Sequence, residues 1–260
     1  MTAETWLWTL FWFGFGAAAG SFCVLAGLRI PQRKSVVRPP SACPSCGARI
    51  SGIDLVPIVG WLWRRGACRH CRARISPIYV LGEAGTGLLF ALLYLHHSSV
   101  AEWIGGMLLV AMLVALTVSD LKYRLLPDRI VYPSFAVFVL YQLLVAPGQI
   151  WSHALGLLIG GGMLLAVSWV SVKANRPAMG GGDIKLMALL GWLLGFERVL
   201  LVILLSSVLG LLVGFSLIAA GKMRRDTFLP FGPFIAAAAL FAWMWGQDVV
   251  DRYLNHFVYM

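Results

Sequence analysis

The chain has 260 residues, of which 60% are hydrophobic and 12% charged, and its mean hydropathy is +0.82; this balance excludes an ordinary soluble domain and predicts an all-α polytopic membrane protein. The formal net charge of +10 would suit a nucleic acid. However, ten of the 21 Lys and Arg lie between Arg29 and Arg74 and most others sit in short loops beside apolar runs, a placement that sets membrane orientation and excludes nucleic-acid binding.

The first apolar segment, Trp6 to Leu28, is long enough to cross a hydrocarbon core of ~30 Å, which needs about 20 residues of helix. Met1 to Glu4 carries no basic side chain and no small-residue cleavage site follows, so this segment is expected to be a retained span rather than a signal peptide. Gly14, Gly16, Ala17 to Ala19 and Gly20 make part of it small-sided, which permits close approach by a neighbour. Cys23, within the same span, is expected to be a packing residue.

Residues 29 to 76 form the one sizeable polar segment, with Pro31, Pro39, Pro40, Pro44 and Pro57 preventing a long helix. It contains two Cys-x-x-Cys pairs, Cys43 with Cys46 and Cys68 with Cys71. Two such knuckles complete a tetrahedral thiolate shell, and a segment this short needs a staple, so structural zinc is the expected ligand. Gly47 and Gly66 suit tight turns beside the metal, and His70 is expected at the surface. The domains expected are thus a first helix (1–28), a zinc-binding domain (29–76) and a helical domain (77–260).

From Ile78 onward apolar runs predict spans near 78–96, 102–119, 130–146, 151–172, 184–196, 199–220 and 230–247, about eight helices with the first. Glu83, near the start of the second, either pairs with a basic side chain of the polar segment or lines a hydrated cavity. Asp120 ends the 102–119 run, and Asp183 follows Met179-Gly180-Gly181-Gly182 at the mouth of another. A carboxylate in a membrane helix costs roughly 2.5 to 3.5 kcal/mol at the bilayer centre, so both are candidate functional residues. If brought together, one holds a proton while the other is ionised, as in an aspartic protease. Asp128, after Pro127, suits a helix start where its carboxylate accepts free backbone N–H groups. Lys122 and Lys185 are expected to be orientation charges. Glycine at 180 to 182 is expected to let the backbone leave helical geometry beside a hydrated cleft; without a preceding strand or a following Gly-Lys-Ser, it is not a phosphate cradle.

Eight spans distribute the basic residues unevenly. Nineteen fall on the side of the polar segment, including Lys122, Arg124, Arg129, Lys173, Arg176, Lys185, Lys222, Arg224 and Arg225, while only Arg198 and Arg252 fall on the other. The positive-inside rule then places the zinc domain in the cytosol and both termini outside.

These motifs together resemble the bacterial type IV prepilin peptidases, intramembrane aspartic proteases bearing a Gly-x-Gly-Asp motif. Gly180 to Leu186 with Gly191 is similar to the second catalytic block of that family, and Asp120 with Leu126-Pro127-Asp128 to the first. Gly20-Ser21-Phe22 and Arg29-Ile30-Pro31 are similar to its opening block. The Cys pairs with Asp54, Pro57, Trp61, Arg65-Gly66 and Ile75-Ser76 are similar to its cytosolic domain, and Phe231-Gly232-Pro233-Phe234 to its last-helix motif. The resemblance implies an inner-membrane enzyme that removes the basic leader of prepilins and type II secretion pseudopilins, after Gly and usually before Phe, with Asp120 and Asp183 as the dyad and Gly180, Gly182 and Glu83 in support. It also implies, for many members, N-methylation with S-adenosylmethionine, associated with the cytosolic loop and a Glu such as Glu83. The chain departs from the family at Cys23-Val24-Leu25 and at Leu55, where Asn is common, so the resemblance carries the peptidase further than the methyltransferase.

Chemically, the protonated acid would polarise the scissile carbonyl while the ionised acid takes a proton from water. The apolar helix of the substrate would approach laterally past small-sided helices such as the first, with its leader charge met by anionic lipid or by Asp54 or Asp226. A transporter or channel using Asp120 and Asp183 for protons or cations is the rival reading, and an inert assembly protein the third.

Overall fold

The structure, a computed structural model, describes residues 2–173, 180–224 and 229–257; Arg176, Met179, Arg225 and Asp226 lie outside them. Outside the polar segment and the short connections the described chain is helical, the form in which a backbone satisfies its own hydrogen bonds in lipid. The helices are α1 (Ala3–Arg29), α2 (Val59–Trp63), α3 (Ile78–His96), α4 (Val100–Tyr123), α5 (Asp128–Val145), α6 (Ile150–Lys173), α7 (Gly181–Leu194), α8 (Phe196–Ala219) and α9 (Gly232–Phe257). All eight expected apolar helices are present, and the short α2 lies in the polar segment. Seven are long and apolar enough to cross a membrane. The eighth, α7, has 14 residues, a rise of about 21 Å against a core of ~30 Å.

The chain divides into two compact units, Met1–Lys122 and Tyr123–Met260. In the first, α1 runs antiparallel to α3, and the small residues of α1 are what bring them together. A Cβ at Gly16 would lie 2.8 Å from Phe90 Cβ and 2.9 Å from Gly87 Cα, and one at Gly20 would lie 2.8 Å from Thr86. Farther along, Gly27 backs onto Ala115 and Val118 of α4, and at the other end Trp12 meets Trp103 with ring centroids 4.7 Å apart, so α4 runs parallel to α1. The small-sided stripe is therefore a packing surface. The expected lateral path for a substrate along it is closed at Gly16 and Gly20 by α3.

The polar segment between α1 and α3 is built from two equivalent turns. Ala42 bridges Arg49 and Ala67 bridges Arg74, both antiparallel. In the first turn Cys43 N donates to Ala48 O at 2.9 Å, and in the second Cys68 N donates to Ala73 O at 2.9 Å. The left-handed position four residues after the leading cysteine is Gly47 (φ 70°) in one turn and Arg72 (φ 57°) in the other. Glycine fits that conformation; arginine is strained in it.

In the second unit α7 is the centre. Leu186, Met187, Leu189, Leu190, Leu193 and Leu194 are all buried, because α7 packs against α5, α6, α8 and α9 and so is apolar around its whole circumference. It lies antiparallel to α6 at backbone contact: Gly156 touches Gly191, and a Cβ at Gly160 would lie 2.6 Å from Met187 O. After α7, Gly195 (φ 82°) turns the chain beside Ser152 and His153 at the start of α6. Short as it is, α7 thus returns the chain to the level where α6 began.

Candidate active site and metal centre

Asp120 occupies the last turns of α4 and is 6% exposed, beside fully buried Ser119. It belongs to the first unit, and Asp183 to the second. Asp183 stands in the first turn of α7, where a helix presents its free N–H groups. Its own N–H donates to Gly180 O at 3.2 Å. The side chain folds back over that residue, since a Cβ at Gly180 would lie 3.5 Å from Asp183 Oδ2. The register of α6 against α7 puts Asp183 opposite Leu164, nine residues before α6 ends at Lys173, hence recessed by about 13 Å along that helix.

The glycines before Asp183 do not act through unusual dihedrals. Gly180 is extended at φ −79° and ψ 145°, and α7 begins at Gly181. Gly182 matters for close approach instead: a Cβ there would lie 2.8 Å from Leu126 Cβ. The expectation that these glycines leave helical geometry holds at Gly180, which is extended, and is corrected at Gly181 and Gly182, which are helical. The smallness of Gly182 lets the start of α7 press against the segment that leads into α5.

Two further expectations change at the same place. The Asp128 carboxylate caps no helix; it accepts two hydrogen bonds from Lys185 Nζ, at 2.7 Å to Oδ1 and 2.9 Å to Oδ2. Lys185, expected to serve only orientation, also lies 5.4 Å from the Tyr132 ring centroid. One ion pair thus ties the first turn of α5 to the first turn of α7, two residues from Asp183. This pairing was missed because its partners lie in different helices. The signal that both sit at helix starts was available.

At the opposite end of α7, Gln142 Nε2 donates to Leu193 O at 2.6 Å and lies 3.3 Å from His153 Nδ1. This buried network fixes α5, α6 and α7 to one another. A lone Gln in the apolar run of α5 was its only trace in the sequence.

In the first unit Glu83 is 7% exposed and accepts the N–H of Ile58 at 2.7 Å. Neither earlier alternative is what the structure places there: the carboxylate holds backbone of the polar segment, at a residue with φ 64°. Asp54, proposed to meet the substrate's leader charge, is engaged by Arg64 Nε at 2.7 Å.

The four cysteines converge. Cys43 Sγ lies 3.8 Å from Cys71 Sγ and Cys46 Sγ 3.9 Å from Cys68 Sγ, and all four sulfurs fall within 4.8 Å of one another. A tetrahedron with ligand bonds of about 2.3 Å has edges of about 3.8 Å, so the set fits a metal ion the size of zinc. Backbone donors favour the thiolate at the first cysteine of each pair, while at Cys46 the pull of the Ala48 N–H is outweighed by burial and the neighbouring thiols, which push the thiol up to about 11. The N–H groups of Cys46 and then Ser45 bring the Cys43 thiol down to about 6, and those of Cys71 and His70 lower that of Cys68. His70 is exposed, and its N–H lies 3.4 Å from Cys68 Sγ. Its ring is not among the convergent donors.

Residues 15–97 match the family model described as bacterial peptidase A24 N-terminal domain, and residues 107–215 match that of the type IV leader peptidase family. The chain is 32% identical over 243 residues to the prepilin leader peptidase/N-methyltransferase of Bacillus subtilis, covering 94% of this chain and 96% of that protein. It is 35% identical over 221 residues to the protein of that name from Aeromonas hydrophila (85% and 76%), and 32% identical over 223 residues to that from Pseudomonas aeruginosa (85% and 77%). No solved structure matches. With matches across both its polar segment and its helical remainder, the chain belongs to the type IV leader peptidase family.

Proposed function

We propose that this protein is an intramembrane aspartic endopeptidase of the bacterial inner membrane that removes the basic leader of type IV prepilins or type II secretion pseudopilins. The observation that carries this reading is that the region matching the leader peptidase family holds both Asp120 and Asp183, each in an end turn of a largely apolar helix. One acid, protonated, donates a hydrogen bond to the scissile carbonyl. The other, ionised, takes a proton from water as the water oxygen attacks the carbonyl carbon. The tetrahedral intermediate then expels the amine, which leaves with a proton from the dyad. Asp183, recessed below the end of α6 yet only half-buried beside exposed Gly180 and Gly181, supports a site that water can reach. Comparison with known proteins gives the transporter reading no support.

The excess of basic residues on one set of loops supports a cytosolic zinc domain and external termini. Zinc, held by Cys43, Cys46, Cys68 and Cys71, serves structure: it ties two turns of a segment that has little core of its own. Methylation of the new N-terminus is the second activity we infer from the relatives' names, with S-adenosylmethionine supplying the methyl group. Glu83 does not fit a cofactor contact, being buried with Oε2 bound to Ile58 N–H. No methyl-transfer step is assigned to it.

The test is to mix purified protein with a prepilin and compare the parent with Asp120→Asn and Asp183→Asn. Cleavage by the parent and none by either variant is the expected result; full processing by either variant rejects the dyad. A gain of one methyl on the product, dependent on S-adenosylmethionine, establishes the second activity. Elemental analysis of gently purified protein should return one zinc per chain.

A further inference from the structure

We propose that the segment from Ile53 to Trp63 is an interfacial membrane anchor, whose outward apolar face inserts at the boundary between acyl chains and head groups of an anionic leaflet. The short helix α2 has two unlike faces. Gly60 is turned inward, where a Cβ would lie 2.5 Å from Asp54 O, and Trp61 Nε1 donates to Ile75 O at 3.3 Å. Val59, Leu62 and Trp63, spaced as one helical face, are turned outward and are 50%, 58% and 74% exposed. Ile53, just upstream, is 65% exposed. A polar domain that simply stood in water would place such side chains inside; a contiguous outward patch marks a contact surface.

Charge and position identify the occupant. Between residues 29 and 76 there are ten basic residues and a single acid, Asp54, and that acid is paired with Arg64. Exposed Arg65 follows Trp63 by two residues, as in segments that bury an apolar side and lift their cations to phosphate level. A basic leader peptide and a second copy of this domain carry the same sign of charge and are repelled, whereas anionic lipid is attracted. The segment is also held at the bilayer. The polar segment that contains it runs between two membrane helices, α1 and α3, and Ile58 N–H is bound by Glu83, a residue only five positions into α3.

The test uses full-length protein carrying a diazirine amino acid in place of Leu62 or Trp63, with His70, exposed beside the metal, as the control position. Each is reconstituted in vesicles of phosphatidylethanolamine and phosphatidylglycerol, irradiated and analysed by mass spectrometry, with zinc content verifying the fold. Lipid adducts at 62 and 63 but not at 70, reduced when phosphatidylcholine replaces phosphatidylglycerol, are expected. Adducts only with water or with peptide at 62 and 63, lipid labelling just as strong at 70, or indifference to phosphatidylglycerol would overturn the proposal.

Discussion

Replacing Gly160 by Ala tests whether contact between α6 and α7 positions Asp183. The new Cβ would lie 2.6 Å from Met187 O and 3.0 Å from Val199 Cγ2, where ordinary contact begins at 3.4 Å. The helices must therefore separate locally by most of an ångström. Ala in place of Gly gains up to about 1 kcal/mol in helix propensity, but overpacking of this kind costs about 1–3 kcal/mol, so a net loss of up to roughly 2 kcal/mol is expected. Gly162, two residues on, has nothing within 4 Å of its would-be Cβ, and Gly162→Ala should keep the propensity gain of up to about 1 kcal/mol. Because Met187 lies one turn from Asp183 in α7, the displacement should also lower kcat/KM on a prepilin, by a factor of about 100 if the carboxylate moves a full ångström. The assay is thermal unfolding and prepilin cleavage by the parent and both variants. A Gly160→Ala protein as stable and active as Gly162→Ala would refute the reasoning.

Lys185→Met and Asp128→Asn should each reduce prepilin cleavage more than they reduce thermal stability, and the double variant should be no worse than the poorer single one, since the two side chains act as one unit; additive losses would separate their roles. Arg72→Gly relieves the left-handed conformation that Gly47 occupies without strain in the other turn, and should stabilise the zinc domain by about 1 kcal/mol, read from the denaturant midpoint of zinc release. His97 lies in the turn between α3 and α4, where burial and then the neighbouring His96 hold its pKa below the ordinary value, against an opposing pull from Glu102. The unfolded chain therefore takes up this proton first as pH falls. Stability should decline on acidification through the ordinary histidine range, and His97→Gln should flatten that decline in unfolding curves recorded between pH 8 and about pH 5.

The sequence carried whatever depends on local pattern. The predicted span 78–96 is the helix Ile78–His96, because a run of apolar residues closed by two histidines defines its own ends. The four cysteines converge as their spacing required, and Gly47 and Gly66 take the left-handed turns expected of them. What escaped was pairing between distant segments. Nothing near Asp128 announces Lys185, 57 residues away, and nothing near Glu83 indicates that its acceptor would serve a backbone N–H at Ile58. Arg72 escaped for a different reason: the second turn repeats the geometry of the first without repeating its glycine, so composition alone hides the equivalence. The role of Gly182 was misread because a glycine chosen for contact and one chosen for dihedral freedom look the same in a sequence.

The enclosure of α7 by four neighbours bears on how the protein is made. A helix of 14 residues, with only a narrow half-buried stripe at Ile184, Ala188 and Trp192 left for lipid, is too short to span a bilayer by itself, so it is poorly suited to leave the translocon as a separate segment. Its Gly156–Gly191 seam with α6 lets the two enter as a hairpin, and only the later arrival of α8 and α9 closes the shell. Assembly around the Asp183 helix is in this sense postponed until α8 and α9 have followed it, so the surroundings of Asp183 are completed only after its own helix has been made.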